Sequence, residues 1–471
     1  MESSSILVVL LFILPLVYLY FHKIRLSCKS KRLPPGRTGW PILGESLEYL
    51  SKIQQGIPYE FAKERMNKYS STVFRTSLIG QNMVMFCGAE GNKFLFSNEK
   101  KLVQVWWPCT MDMIFPKSDN RPSSEHSKKL RKMLPVILRT DVLREFVGTM
   151  DAIMKDHLQK YWNRKNVNVS DLAKKYLLTL ACSTFLGIDD ERKVDELAKG
   201  TEDIGSGIHS MPFNLPGTAL NRAIKASKIM RKEVEAMIHQ RRIDLSENNS
   251  PSPSPKDFMS HILLEKDDNG QFLSDGDIAS HLIGLVQAGY TTVHSTIIIM
   301  MKYLAELPDV YNQVLLVKKP NDRLSWEDLW KMKYSWNVAL EVLRVYTPGT
   351  GSFREAITDL VYDGYTIPRG SKIHWIFDAT HKNPECFRDP EIFNPSRFQG
   401  DNIAPYTFVP FGGGSRMCPG NEYARLAILV FLHNVVKKFR WEKLYPGEEV
   451  VHYPVPRPAH GLPVHLIPHK P

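Results

Sequence analysis

Residues Phe411-Gly412-Gly413-Gly414-Ser415-Arg416-Met417-Cys418-Pro419-Gly420 constrain this chain more than any other stretch. They read Phe-x-x-Gly-x-Arg-x-Cys-x-Gly. Three consecutive glycines let a backbone fold tightly against a flat ring. A ligand sulfur must be a thiolate, and nearby N–H groups together with the Arg416 guanidinium stabilise that charge. The pattern is that of a loop delivering one cysteine thiolate to haem iron, where thiolate ligation pushes electron density onto the metal and favours O–O cleavage. A glycine-rich turn around a structural cysteine would need neither Arg416 nor Gly420.

The rest of the chain is large enough to bury such a centre. It has 471 residues, 43% of them hydrophobic and 24% charged, a globular balance with a large core. The net charge of +11 suits an anionic membrane surface or an acidic redox partner. Six cysteines (Cys28, Cys87, Cys109, Cys182, Cys386 and Cys418) lie scattered without CxxC pairs. That spacing argues against a disulfide framework and against a zinc site.

Residues 5–21 are an almost unbroken apolar run, SILVVLLFILPLVYLYF, which as a helix spans about 26 Å. No positively charged region precedes the run and no small-x-small cleavage site follows it, so an uncleaved anchor is expected rather than a signal peptide. His22, Lys23, Arg25, Lys29, Lys31 and Arg32 come directly afterwards, and such a cluster places the remainder on the cytosolic side. Leu33-Pro34-Pro35-Gly36 through Trp40-Pro41 to Gly44 cannot be helical and forms a stiff hinge. The expected organisation is therefore an anchor at 1–22, a basic and proline-rich hinge at 23–44, and one catalytic domain at 45–471.

Within that domain, residues 59–69 read as helix, and residues 72–78 and 83–87 as strands. Trp106-Trp107-Pro108 opens a loop-rich stretch, and a basic helix at 125–138 carries Lys128, Lys129, Arg131 and Lys132. Met211-Pro212-Phe213-Asn214-Leu215-Pro216-Gly217 is an apolar loop between helical stretches. Ser274-Asp275-Gly276-Asp277 caps a helix that Pro308 ends, about 45 Å long and apolar on several faces. Such a helix crosses the middle of a large domain, and Gly289 within it is expected at a close approach. Ser325-Trp326-Glu327-Asp328 caps a further helix whose later part holds Glu341 and Arg344 on one face. Leu360-Val361-Tyr362, Asp363-Gly364 and Tyr365-Thr366-Ile367 read as strand, tight turn and strand. Residues 422–439 read as helix, and residues 451–471 as loop and strand.

Four windows in this order resemble the cytochrome P450 family: the Cys418 loop, Ala288-Gly289-Tyr290-Thr291-Thr292-Val293, the Glu341/Arg344 pair, and Phe393-Asn394-Pro395-Ser396-Arg397-Phe398. Residues 280–285, 331–338, 353–359, 404–408 and 460–463 are most similar to plant members that oxidise cyclic triterpenes. The resemblance implies a mainly α fold with small β-sheets, preceded by an N-terminal transmembrane helix. It implies haem b, with Cys418 as the iron ligand and Phe411 in the cofactor-binding loop, and Arg416, Arg354 and Arg131 holding propionates. Thr292 takes the place of the alcohol that delivers protons during oxygen activation. Thr291 stands where the family usually has an acid, so protons must relay through water or another group; His294, two residues along, is expected to point elsewhere. Glu341, Arg344 and Arg397 match a buried network with a structural role. The turn at 348–353 would face substrate, and the apolar loop at 211–217 would dip into the membrane.

The implied activity is monooxygenation of a dammarane- or oleanane-type triterpenoid with dioxygen. Its electrons would come from NADPH through NADPH-cytochrome P450 reductase. The enzyme would be a single-pass protein of the endoplasmic reticulum membrane, with no nucleic-acid partner. Two other readings are a reductase-independent rearrangement of a hydroperoxide, motivated by Thr291, and a silent haem scaffold. Two departures from the family pattern stand out: Ser415 replaces a frequent proline, and residues 315–323 are shorter than in relatives.

Overall fold

The computed structural model describes residues 32–40, 43–78, 80–116, 134, 138–208, 210–247, 257–266, 270, 272–315, 323–400, 403–452 and 455–469. The expected anchor at 1–22 lies outside them. So do Arg131, nearly all of the basic helix at 125–138, and most of the shortened stretch at 315–323.

The described chain is mainly helical, with small sheets. Its helices are α1 (Ser46–Gln54), α2 (Pro58–Tyr69), α3 (Gly88–Ser97), α4 (Cys109–Ile114), α5 (Thr140–Tyr161), α6 (Val169–Ala181), α7 (Glu191–Ile208), α8 (Ala219–Glu247) and α9 (Phe258–Leu264). Then follow α10 (Asp275–Glu306), α11 (Pro308–Leu315), α12 (Trp326–Lys331), α13 (Lys333–Val345), α14 (Asp378–His381) and α15 (Asn421–Lys438). The strands are β1 (Val73–Leu78), β2 (Gln81–Phe86), β3 (Val103–Val105), β4 (Asn166–Asn168), β5 (Gly351–Ala356), β6 (Leu360–Tyr362), β7 (Tyr365–Ile367) and β8 (Lys372–Ile376). The C-terminal strands are β9 (Phe439–Lys443), β10 (Val450–Val451), β11 (Arg457–Pro458) and β12 (Pro463–Pro468).

Helix α10 is the axis of the molecule. The Ser274 side chain accepts from the Asp277 amide at 3.2 Å, and Asp275 and Asp277 occupy the first turn, where carboxylates complement the helix dipole. The helix runs for 32 residues, about 48 Å, and ends where Pro308 begins α11. Because it is apolar on nearly every face, it is surrounded by α6, α7, α8, α13 and α15. Gly289 is a close approach, as expected: a Cβ there would lie 2.9 Å from the Phe185 ring and 3.3 Å from Tyr423. Among the described helices, α10 alone is long and apolar enough to cross a membrane, and most of it is buried inside the protein.

The larger sheet has the order β1-β2-β8-β5-β3; β2 and β8 are parallel and the other pairs antiparallel. The expected tight turn at Asp363-Gly364 is present, with φ of 51° and 73°, between the paired β6 and β7. Residues 351–353, expected as part of a turn, instead begin β5, because Phe353 and Arg354 pair with His374 and Ile373 of β8. The hinge is stitched to this sheet: the Arg75 amide and side chain donate to the carbonyls of Pro35 and Pro34, both at 2.7 Å.

The helix expected to run on from Ser325 is two helices. Ser325 and Asp328 form the reciprocal cap of α12, but Met332 takes φ −79° and ψ 48° and separates it from α13. Near the end of α13, Glu341 and Arg344 are fully buried and paired by two bonds of 2.8 and 2.9 Å. Glu341 also accepts from Arg397 Nε at 3.3 Å and from the Asn394 amide at 2.8 Å. Truncating one partner of such a network strands the others in a low-dielectric core. Glu341→Ala should therefore cost roughly 3–5 kcal/mol of stability in chemical denaturation. Arg139→Ala, which breaks an exposed pair with Asp141, should leave the midpoint unchanged.

Candidate active site

The cysteine loop is held by its own backbone. The Gly412 amide donates to the Val409 carbonyl at 2.8 Å, and the Cys418 amide donates to the Phe411 carbonyl at 2.8 Å. Between them, residues 414–416 make one 3-10 turn. The glycines answer first to Phe96 of α3. A Cβ on Gly413 would meet the Phe96 ring at 2.4 Å, and one on Gly414, at φ +62°, would meet the Phe96 carbonyl at 2.5 Å. The Cys418 thiol is exposed, three residues ahead of the first residue of the 18-residue α15. A Cβ on Gly420 would stand 3.8 Å from the sulfur, so the thiol lies over the helix N-terminus. That end of a helix favours a thiolate.

Arg416 and Arg354 share one neighbourhood with Glu99. Arg354 sits mid-strand in β5, and its Nε donates to Glu99 at 2.7 Å with both side chains buried. Its Nη1 donates to the Phe353 carbonyl at 2.8 Å and to Ser352 Oγ at 3.3 Å. Burial, and to a lesser degree Arg354, lowers the pKa of Arg416, while Glu99 opposes them. Arg416 Nε and the second Glu99 oxygen are buried without a hydrogen-bond partner in the structure. Two guanidiniums, one buried and one half-buried, against one carboxylate leave a cationic site that calls for an external anion. Such a donor set, beside an exposed thiol, fits a haem with two carboxylate arms. Glu99 has no signal in the sequence: it meets Arg354 across 255 residues through the pairing of β3 with β5.

On α10, Ala288 and Thr292 are exposed, in contrast to the buried Gln287, Tyr290 and Val293. Gly284, one turn earlier, has open space where a Cβ would stand. Spacings of four place the three residues on one open face. Thr292 Oγ1 donates to the Ala288 carbonyl at 3.0 Å. Thr291 lies on the next face, where Gln287 Nε2 donates to its hydroxyl at 2.8 Å. Gln287 is buried, presses towards Gly205 of α7, and has a carbonyl oxygen without a partner in the structure. The structure thus separates Thr291 from Thr292 and gives Thr291 a partner that sequence reasoning missed, although an i, i+4 spacing was there to be read. His294 points away, as expected: its Nε2 meets the Ser170 carbonyl at 3.0 Å, and burial pushes its pKa down to about 4.

The β5 end of the site is stiff. Phe353 stacks on His374 at 4.5 Å and meets Trp106 edge-on at 5.7 Å. His374 Nδ1 faces the Ser352 carbonyl at 3.1 Å, so its Nε2 accepts from the Tyr49 hydroxyl at 3.0 Å. In the loop at 211–217, Phe213 and Leu215 are 55% and 62% exposed, which rules out an ordinary buried loop.

Comparison with known proteins agrees with this architecture. The Cytochrome P450 family model matches residues 34–454. The chain is 48% identical over 476 residues to a Beta-amyrin 28-monooxygenase of Vitis vinifera, covering 99% of each. It is 48% identical over 481 residues to a Beta-amyrin 16-beta-monooxygenase of Platycodon grandiflorus, covering 99% of this chain and 100% of the relative. Among solved structures, the retinoic acid bound cyanobacterial CYP120A1 is similar with a TM-score of 0.83 and 30% identity, over 93% of this chain and 100% of that one. With its cysteine loop, central helix and buried Glu341 network in one continuous match, the chain belongs to the cytochrome P450 family.

Proposed function

We propose that this chain is a membrane-anchored haem-thiolate monooxygenase that oxidises a triterpenoid of the dammarane or oleanane type. It uses dioxygen and electrons passed from NADPH by NADPH-cytochrome P450 reductase. Residues 1–22 serve as a single-pass anchor in the endoplasmic reticulum, 23–44 as the hinge and 45–471 as the cytosolic catalytic domain. The observation that carries this reading is the exposed Cys418 over the N-terminus of α15, beside the buried Arg354 and the half-buried Arg416. The substrate class rests on near full-length similarity to proteins named as β-amyrin monooxygenases.

When bound, haem supplies the iron at which dioxygen is activated for insertion into a C–H bond. The chain's own residues provide the setting. Cys418 would hold the iron as a thiolate, which the helix N-terminus favours, and the Phe411 carbonyl fixes its backbone. Arg416 and Arg354 would neutralise the carboxylate arms, with Arg131 as a further donor. Thr292 sits on the open face of α10. By turning its hydroxyl away from the Ala288 carbonyl it can donate a proton to the reacting oxygen and accept another from water. Gln287 and Thr291 form a neutral amide–hydroxyl pair on the adjacent face, turned towards α7, and bring no carboxyl to the open face. Phe353 and Trp106 form part of the apolar wall over which a triterpene lies.

Co-expression with the reductase and a β-amyrin or dammarenediol cyclase should yield oxidised triterpene, detected by mass spectrometry. Reductase-independent conversion of a lipid hydroperoxide, with no use of NADPH, would replace this reading with rearrangement chemistry. Thr292→Val should lower product formed per NADPH by about 10-fold or more and divert electrons to peroxide. Thr291→Val should have a smaller effect, because its hydroxyl lies off the open face.

A further inference from the structure

Val409 lies just ahead of the cysteine loop, and its buried amide is bound by a side chain rather than by backbone. It donates to Nε2 of His381 at 3.0 Å. His381 is itself fully buried at the end of α14, between the rings of Phe377 and Phe408. Its other nitrogen, Nδ1, lies 3.0 Å from Thr347 Oγ1, and Thr347 donates its own proton to the Leu343 carbonyl at 2.7 Å.

These contacts fix every proton. Nε2 accepts from a backbone N–H, so the imidazole hydrogen is on Nδ1 and goes to Thr347. Burial, with Arg344 and Lys382 nearby, pushes the His381 pKa down to about 3, so the ring stays neutral. The His381 carbonyl also accepts from Arg344 Nη1 at 2.9 Å. One residue therefore ties two structures together. Its backbone belongs to the Glu341–Arg344 network, and its ring reaches the strand of chain that becomes the loop. From there the bonds continue: the Val409 carbonyl accepts from Gly412, and the Phe411 carbonyl accepts from Cys418.

We infer that His381 is a positioning residue for the cysteine loop, a neutral acceptor that fixes Val409 so that Phe411 presents Cys418 at one place over α15. The inference rests on Cys418 being the iron ligand, and it concerns a residue that touches neither the sulfur nor the substrate site.

The test uses three variants of the haem-loaded, full-length protein in membranes. His381→Phe keeps a ring but removes both bonds. His381→Gln offers an amide oxygen where Nε2 stood. Thr347→Val leaves Nδ1–H without its acceptor. Two quantities are read: the share of the reduced, carbon-monoxide-bound protein in the thiolate band rather than the shorter-wavelength form, and amide exchange in peptides covering residues 407–418.

His381→Phe should lose thiolate band to the shorter-wavelength form, and its loop should exchange about tenfold faster, as expected for one lost buried bond. His381→Gln should stay close to the unmodified protein on both readouts, and Thr347→Val should fall between the two. The inference is overturned if His381→Phe keeps the normal band and exchange, or if His381→Gln is disturbed as much as His381→Phe, which would show a packing role only. If His381→Phe does not fold, a normal loop in Thr347→Val together with a disturbed one in His381→Gln overturns it as well. An unmodified protein lacking the thiolate band would overturn the Cys418 reading instead, and exchange in the loop would still decide the role of His381.

Discussion

Four donors converge on one buried carboxylate. Glu341 accepts from two nitrogens of Arg344, from Arg397 and from the Asn394 amide, at no solvent exposure. A charge this deep is tolerable only when every partner is in place, so the network is all-or-none. It joins the end of α13 to the turn at 395–398, and through Arg344 it reaches the carbonyls of His381 and Ile392. The cysteine loop hangs from that frame. Its shape follows from a few backbone bonds, and its distance from the core follows from where the frame holds residue 409.

The opposite wall is built on another principle. Helix α10 gains its place by burying apolar surface on most faces, which leaves one open strip. Gly284, Ala288 and Thr292 form that strip because small residues keep the space above it open. The neighbouring face carries Gln287 and Thr291 against α7, where Gly205 leaves room for the amide. At this point the helix offers an amide and a hydroxyl in place of a carboxyl.

Much of this was legible in the chain because the determinants are local. Ser274 and Pro308 bracket α10, Asp363-Gly364 supplies the two left-handed positions that a two-residue hairpin turn requires, and the spacing of Glu341 and Arg344 puts both on one helix face. What could not be read depends on distant partners or on slight backbone choices. Glu99 meets Arg354 only because β3 pairs with β5, and the break at Met332 separates two segments that each favour helix. The order of the five-stranded sheet joins strands at 73–105 to strands at 351–376. The bond from Val409 to His381 spans 28 residues and has no local pattern. Arg131 remains an expectation from its basic segment, outside the described residues.

Everything proposed for the site depends on Cys418 as the iron ligand. X-ray absorption at the iron edge of the purified, haem-loaded protein tests it most directly. One sulfur scatterer is expected in the first shell, and it should disappear in Cys418→Ser. A first shell of nitrogen and oxygen alone, or a sulfur that survives the substitution, would contradict it.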